Sequence, residues 1–279
     1  MSAIYDAIDL ALATGEGLLV GRNGSTELGT MIHGTKSASR VLLECAGVWD
    51  CEPGLLGGNS RDLQSWLISS RCASSDADLL ATGWYEELAI LEQRMLEQIG
   101  FLGKQIKLRD IEPYYSEGVR QWTRLLKGVD VCCVSPFYKS ILEGYRGRDK
   151  IWPNGLLPEF GTVSVVRSYF APTIGGKTHS WIRGWEEAVD YMEAEVLKTG
   201  AKVVLIGCGG LGMILGARLK KKGLICVVMG GALQVLFGIK GKRWEHHGII
   251  SGFWNEHWIE PKAEEIPPGA ALIEGGCYW

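Results

Sequence analysis

Short apolar runs bounded by glycine, proline or polar residues alternate along this chain with longer stretches in which apolar residues recur every three or four positions. The first pattern predicts buried strands and the second amphipathic helices. Ile4–Ala13 reads as a short helix, and Gly17–Gly21 (GLLVG) as a brief strand running into Arg22-Asn23-Gly24-Ser25-Thr26-Glu27-Leu28. Pro53–Ser60, rich in glycine, predicts a loop. Leu63–Ser70, Ala81–Ile99 and Ser116–Leu126 carry helical spacing.

Val129–Val134 (VDVCCV) predicts a buried strand, closed at Ser135-Pro136 because Pro136 has no N–H for a ladder. Phe137–Tyr145 returns as a helix, and Thr162–Tyr169 alternates as a half-buried strand does. Ala171–Thr178 reads as a loop, with Thr178 or Ser180 capping a long helix over Trp181–Lys198. Then come a strand at Ala201–Ile206, a helix at Leu211–Lys222 and a strand at Leu224–Met229. Strands joined through helices by short loops pair in parallel with right-handed crossovers. The expected fold is α/β: an open, doubly wound (Rossmann-like), mostly parallel sheet with a helical N-terminal portion. With no linker visible, the chain reads as a single α/β domain over 1–279. It divides into a helix-rich lobe, 1–128, and a nucleotide-binding lobe, 129–279.

Composition narrows the picture. With 279 residues, 46% hydrophobic and 22% charged, the chain can bury a core without disulfides or metals. A net charge of −3 and the lack of a long basic stretch argue against a nucleic-acid partner. Lys220-Lys221-Lys222 falls at a helix end, where the dipole favours cations. Met1–Ala13 has no basic n-region, and no apolar run reaches the ~18 residues of a transmembrane segment. The eight cysteines show no paired CxxC spacing, and Cys132 and Cys133 read as small hydrophobes on opposite strand faces. A reducing, cytoplasmic location is expected. Of the eleven tryptophans, Trp181, Trp185, Trp244, Trp254, Trp258 and Trp279 fall towards the C-terminus. They suit either a carbohydrate wall or a core or oligomer interface. The aromatic C-terminus predicts burial in its own chain or in a partner, with a homodimer as the expected assembly.

The sharpest chemical signal is Gly207-Cys208-Gly209-Gly210-Leu211-Gly212, a G-x-G-x-x-G after a strand and opening a helix. Early glycines let the backbone turn tightly, a later one lets helix and strand pack closely, and free N–H groups at the helix start attract anions. A dinucleotide site also wants a carboxylate at the end of the next strand. That strand ends Met229-Gly230-Gly231, so neither NAD nor SAM is expected. Gly230 and Gly231 open another helix start, followed by Gln234 and by Lys240, Lys242 and Arg243, cations able to neutralise a diphosphate. A third signal is Arg22-x-Gly24-x-x-Glu27, a polar site or a structural salt bridge. His246, His247 and His257 fit no metal-binding spacing.

The Arg22–Glu27 loop resembles the R-x-G-D-G-E strand-end motif of GT-D type glycosyltransferases, and Val203–Gly212 resembles their glycine-rich turn. The stretch IGCGGLG…GGALQVLFGIKGKRW is similar to a group of bacterial and viral proteins that often accompany polysaccharide-synthesis genes. Val134-Ser135-Pro136-Phe137, Leu157-Pro158-Glu159-Phe160 and Glu274-Gly275-Gly276-Cys277-Tyr278-Trp279 are similar to that group too, so the likeness runs from Gly21 onward.

The resemblance implies sugar transfer from a nucleoside-diphosphate sugar to a glycan or polysaccharide acceptor. It places Arg22 and Glu27 in catalysis. For such a reaction Gly24, Ser135, Gly207, Gly209, Gly210, Gly212, Gly230, Gly231, Gln234, Lys240, Lys242 and Arg243 are expected at the donor, and Trp254, His257 and Trp258 as an acceptor wall. The family's Asp-x-Glu serves a cation, Mn²⁺ or Mg²⁺, and the donor diphosphate. Here Ser25-Thr26-Glu27 matches it, and a serine is a poor ligand for such a cation. The Lys240-Lys242-Arg243 loop would then take over neutralisation. A non-catalytic nucleotide- or glycan-binding module and an NAD(P) or SAM enzyme remain as alternatives.

Overall fold

The computed structural model describes residues 2–33, 61–116, 118, 120–168, 179, 181–182, 184–272 and 274–279. The predicted loops Pro53–Ser60 and Ala171–Thr178, with the caps Thr178 and Ser180, lie outside these residues.

The chain begins with α1 (Ala3–Thr14), whose Ser2 hydroxyl caps the Tyr5 N–H, and continues into strand β1 (Leu18–Arg22). Helix α2 (Ser25–His33) leaves β1 directly, and α3 (Arg61–Ser75) leads to β2 (Leu79–Ala81). Helix α4 (Ala89–Gln98) then precedes β3 (Lys104–Ile106). The second half runs β4 (Val131–Ser135), α5 (Tyr138–Arg146), β5 (Val163–Arg167), α6 (Trp185–Lys198), β6 (Val203–Ile206), α7 (Gly212–Lys220), β7 (Ile225–Val228) and α8 (Ala232–Leu236).

All seven strands form one parallel sheet in the order β3-β2-β1-β7-β6-β4-β5. The fold is the expected open, doubly wound α/β sheet. Its two halves are not separate sheets: β1 hydrogen-bonds to β7, with Val20 opposite Val227.

Helices cover both faces, which is why the central strands read as unbroken apolar runs. Leu19, Leu80, Cys132, Val204 and Cys226 point to the face packed by α2, α3, α4, α6 and α7. Leu18, Leu79, Cys133, Val203 and Ile225 point to the face packed by α1, α5, α8 and the C-terminal segment. Cys132 and Cys133 thus enter opposite cores as small hydrophobes, and burial raises both thiols, Cys132 to about 11. Lys220 reaches from the end of α7 to the Asp78 carboxylate at 2.8 Å, and Asp78 also accepts the Leu19 N–H at 2.8 Å. Among the described residues no helix is long and apolar enough to cross a membrane.

Three local expectations fail. Ala81–Ile99 is not one helix: Ala81 closes β2, Gly83 turns the chain at φ +66°, and α4 starts at Ala89. Pairing of Leu79–Ala81 with both β1 and β3 overrides the helical spacing. The described residues of Ser116–Leu126 are helical only as a 3₁₀ turn at Trp122–Leu126, and Gly118 near the start of the range adopts φ +87°. Trp181–Lys198 starts at Trp185, where the Glu187 carboxylate accepts the Gly184 N–H at 3.1 Å.

Candidate functional site

In a doubly wound sheet, ligands sit outside the carboxyl ends of the strands, where adjacent connections leave to opposite faces. Here β1 and β6 leave towards α2 and α7 on one face, while β7, lying between them, leaves towards α8 on the other. A cavity of about 860 Å³ opens at this point. That lies inside the range of ~300–1,000 Å³ usual for small-molecule sites. Every strand contributes residues just beyond its carboxyl end. Arg22 ends β1 and Gly24–Glu27 follow it, Trp84 follows β2, and Lys107–Arg109 and Glu112 follow β3. Ser135–Phe137 follow β4, Ser168 follows β5, Gly207–Gly209 follow β6, and Gly230–Ala232 follow β7. Arg243, Trp244, His247, Tyr278 and Trp279 close the cavity from the C-terminal segment.

The glycine-rich turn is built as its spacing predicts. A Cβ on Gly207 would stand 2.8 Å from the Gly230 carbonyl, so β6 and β7 can bring their exits together only through glycine. Gly209 adopts φ +59°, in the left-handed region that disfavours side chains. A Cβ on Gly212 would stand 3.0 Å from Val228 Cγ1, so this glycine lets α7 lie close on the sheet. The Gly210 carbonyl is held by the Trp66 indole N–H at 3.1 Å. The Cys208 thiol is pushed up to about 12 by its enclosure and stays protonated at neutral pH.

Arg22 lies across the neighbouring turn. Its guanidinium carbon is 4.7 Å from the centre of the Trp84 ring. A Cβ on Gly230 would stand 3.3 Å from Nη1. The cation is therefore stacked on an indole close to bare backbone, placing a positive charge beside the Gly230–Gly231 turn. Arg243 approaches from the opposite wall, its guanidinium carbon 4.8 Å from the Tyr278 ring centre and its backbone N–H on the Cys277 carbonyl. The His247 Nδ1 accepts the Ile249 and Ile250 N–H groups at 3.3 and 3.2 Å, so the neutral ring carries its proton on Nε2.

Among the described residues two carboxylates line the cavity, and they differ. Glu27 is the third residue of α2, and its carboxylate folds back so closely on Gly24 that a Cβ there would collide with it. A carboxylate in that position faces the free N–H groups of its own helix start. Glu112 sits on the irregular connection after β3. Burial raises its pKa, while Arg22, a Tyr114 hydrogen bond and Arg109 act in the opposite direction. The Tyr114 hydroxyl is itself raised well above its usual range, by burial first and by Glu112 next.

Other predicted residues are placed elsewhere. Lys240 pairs with Glu260 at 3.5 Å and lies over the Trp254 ring, and neither it nor Lys242 lines the cavity. Of that basic loop, only Arg243 reaches it. Gln234 lines the cavity but serves as a strut: its Nε2 donates to the Lys240 and Tyr278 carbonyls, both at 2.8 Å. Ser135 stops its strand by accepting the Phe137 N–H at 3.2 Å. Trp254, His257 and Trp258 do not line the cavity; Trp258 is buried against Trp152, with ring centres 5.6 Å apart. Trp84, Lys107, Arg109, Glu112, Tyr114 and Tyr115, which line the site, were not singled out by sequence pattern. They sit on turns, where only the position after a strand end signals a role.

Among the described residues, no three His, Cys, Asp or Glu side chains cluster as a cation site. With serine at position 25 and Glu27 turned onto Gly24, the side chains that match the family's Asp-x-Glu make a weak donor set for Mn²⁺ or Mg²⁺. Compared with known proteins, the chain matches no family model, no curated protein and no solved structure.

Proposed function

We propose that this chain is a glycosyltransferase that moves a sugar from a nucleoside-diphosphate sugar to a glycan or polysaccharide acceptor. One observation carries the reading: two glycine turns and the stacked Arg22 meet in a cavity at the switch point of the sheet. Among the described residues, four cations line that cavity, Arg22, Lys107, Arg109 and Arg243, against two carboxylates, although the whole chain carries a net charge of −3. Such a surplus selects an anionic ligand.

The chemistry follows from this arrangement. As the bond between sugar and diphosphate breaks, negative charge grows on the leaving oxygen. Donors already aimed at that position lower the barrier, because they need no reorganisation. Arg22, held by Trp84 and Gly230, and Arg243, held by Tyr278, are preorganised cations of this kind. They take the neutralising role in place of a metal cation, and Lys240 and Lys242 have no part in it. The aromatic walls of Trp84, Trp244 and Tyr278 suit the faces of a base or a sugar.

The test is a thermal-shift panel of UDP, GDP, dTDP, CMP, NAD(P) and SAM, each with and without Mn²⁺. A ligand that binds only the folded state adds about 2.7 kcal/mol at a hundredfold excess over its Kd. Selective stabilisation by one nucleoside diphosphate, unchanged by Mn²⁺, is the expected result. Stabilisation by NAD(P) or SAM alone refutes the reading. Nucleotide binding without turnover of any nucleotide sugar would make the chain a binding module instead.

A further inference from the structure

We propose that Glu112, rather than Glu27, is the catalytic base of this cavity, the carboxylate that takes the proton from the acceptor hydroxyl. The inference rests on the glycosyltransferase reading and deepens it.

Three carboxylates stand near the carboxyl ends of β1 and β3, and two are engaged in local structure. Glu27 folds onto Gly24 at the start of α2. Asp110 accepts the Lys107 N–H at 2.9 Å and so caps its own helical turn, Leu108–Ile111. Glu112 occupies the equivalent capping position before the 3₁₀ turn Pro113–Tyr115, yet its side chain makes no capping hydrogen bond. Glu112 lines the cavity instead.

The groups facing Glu112 suit a base rather than a salt bridge. Arg22 from β1 and Arg109 from the preceding turn supply positive charge, and the Tyr114 hydroxyl also favours the ionised form. Tyr115 is the remaining titratable neighbour, with Arg109 stacked 4.9 Å from its ring centre. Among the described residues Glu112 closes no ion pair, so its oxygens are not locked to either arginine. Burial lifts its pKa towards neutrality, the direction that improves proton abstraction near neutral pH. Arg22 touches both parts of the site, lying on the Gly230 turn while bearing electrostatically on Glu112. It thereby couples the leaving group to the base.

The step balances as a displacement at the anomeric carbon. The acceptor oxygen forms a bond to that carbon while its proton passes to Glu112. The bond from carbon to the diphosphate oxygen breaks, and its electron pair leaves on the nucleoside diphosphate. Glu112 returns the proton to solvent.

The experiment compares wild type with Glu112→Gln, Glu27→Gln and Tyr114→Phe. The substrate is the sugar form of whichever nucleotide stabilises the protein, with water as the acceptor. Calorimetry with the matching nucleoside diphosphate checks that each variant still binds. Glu112→Gln is expected to bind normally and to lose at least about 100-fold in kcat. The acid limb of the wild-type pH profile reports the ionisation of the base. Tyr114→Phe removes a neighbouring hydroxyl that favours the carboxylate, so this limb should move to higher pH. Glu27→Gln should leave the limb where it is. Near-normal turnover in Glu112→Gln, or an unmoved limb in Tyr114→Phe, overturns the assignment while leaving the transferase reading intact. Wild type that neither binds nor cleaves any nucleotide sugar overturns both.

Discussion

Replacing Glu265 by alanine should unlock the C-terminal segment from the sheet. This residue is 2% exposed, and its carboxylate accepts four hydrogen bonds. Oε1 takes the Lys139 and Ser140 N–H groups at 2.6 and 3.0 Å, and Oε2 takes the Lys262 N–H at 3.1 Å together with the Ser140 hydroxyl. Lys139 and Ser140 begin α5, where the first N–H groups of a helix have no partner inside it. The negative charge also complements the positive end of the helix dipole. Hydrogen bonds to charged groups are worth about 1.5–3 kcal/mol each, but they do not add, because the carboxylate was dehydrated to make them. Breaking a buried charged network by removing one partner costs about 3–5 kcal/mol, and that is the loss expected for Glu265→Ala. Glu265→Gln keeps one acceptor oxygen and should lose about half as much. Urea unfolding reads the change as a lower midpoint at unchanged m. A loss under about 1 kcal/mol for alanine, the level of an ordinary substitution, would refute the reasoning. So would glutamine and alanine variants of equal stability.

Gly209→Ala should cost about 1–2 kcal/mol of stability, since alanine must adopt φ +59°. Nucleotide affinity should fall with it; wild-type stability and binding would contradict the turn geometry. Glu92 is buried with Oε2 on the Gly83 N–H at 2.7 Å, and burial raises its pKa above the ordinary carboxylate value. A carboxyl raised in the folded state opposes folding at neutral pH, and the penalty fades as pH falls through the raised pKa. Glu92→Gln should therefore be more stable than wild type at pH 7, with the gain shrinking towards pH 4. Urea midpoints across that range would disprove this if the variant were the weaker at neutral pH.

The parts of this molecule that could be read in advance are those where neighbouring residues carry the whole signal. Strands β1, β4, β6 and β7 stand out as apolar runs because both their faces are covered. The turn at Gly207–Gly212 is legible because each glycine answers a local steric demand. Strand β3 was invisible: Lys104 and Gln105 are exposed at the sheet's edge, leaving Ile106 as its single buried residue. The place of Lys240 is not legible in sequence, because its partners, Glu260 and Trp254, come from a segment whose path no short pattern reveals. Trp258 looked like a binding surface but fills the core against Trp152. Glu112 escaped notice for a related reason. Nothing beside it in sequence marks it, and only the position of β3 in the sheet brings it to the cavity.

The pairing of β1 with β7 also bears on how the protein comes into being. These strands lie side by side near the middle of the sheet but about two hundred residues apart in the chain. On a ribosome working from the N-terminus, β1 emerges early and must wait for its neighbour until most of the polypeptide has been made. Until then the segment up to β3 holds one half of a sheet with an unsatisfied edge, and such edges recruit wrong partners. Long-range parallel pairings of this kind also fold slowly. A chain cut short before β7 would keep its apolar strands yet lose the one that joins them. Production of fragments should accordingly end in aggregation, and half of this protein should not behave as a smaller version of the whole.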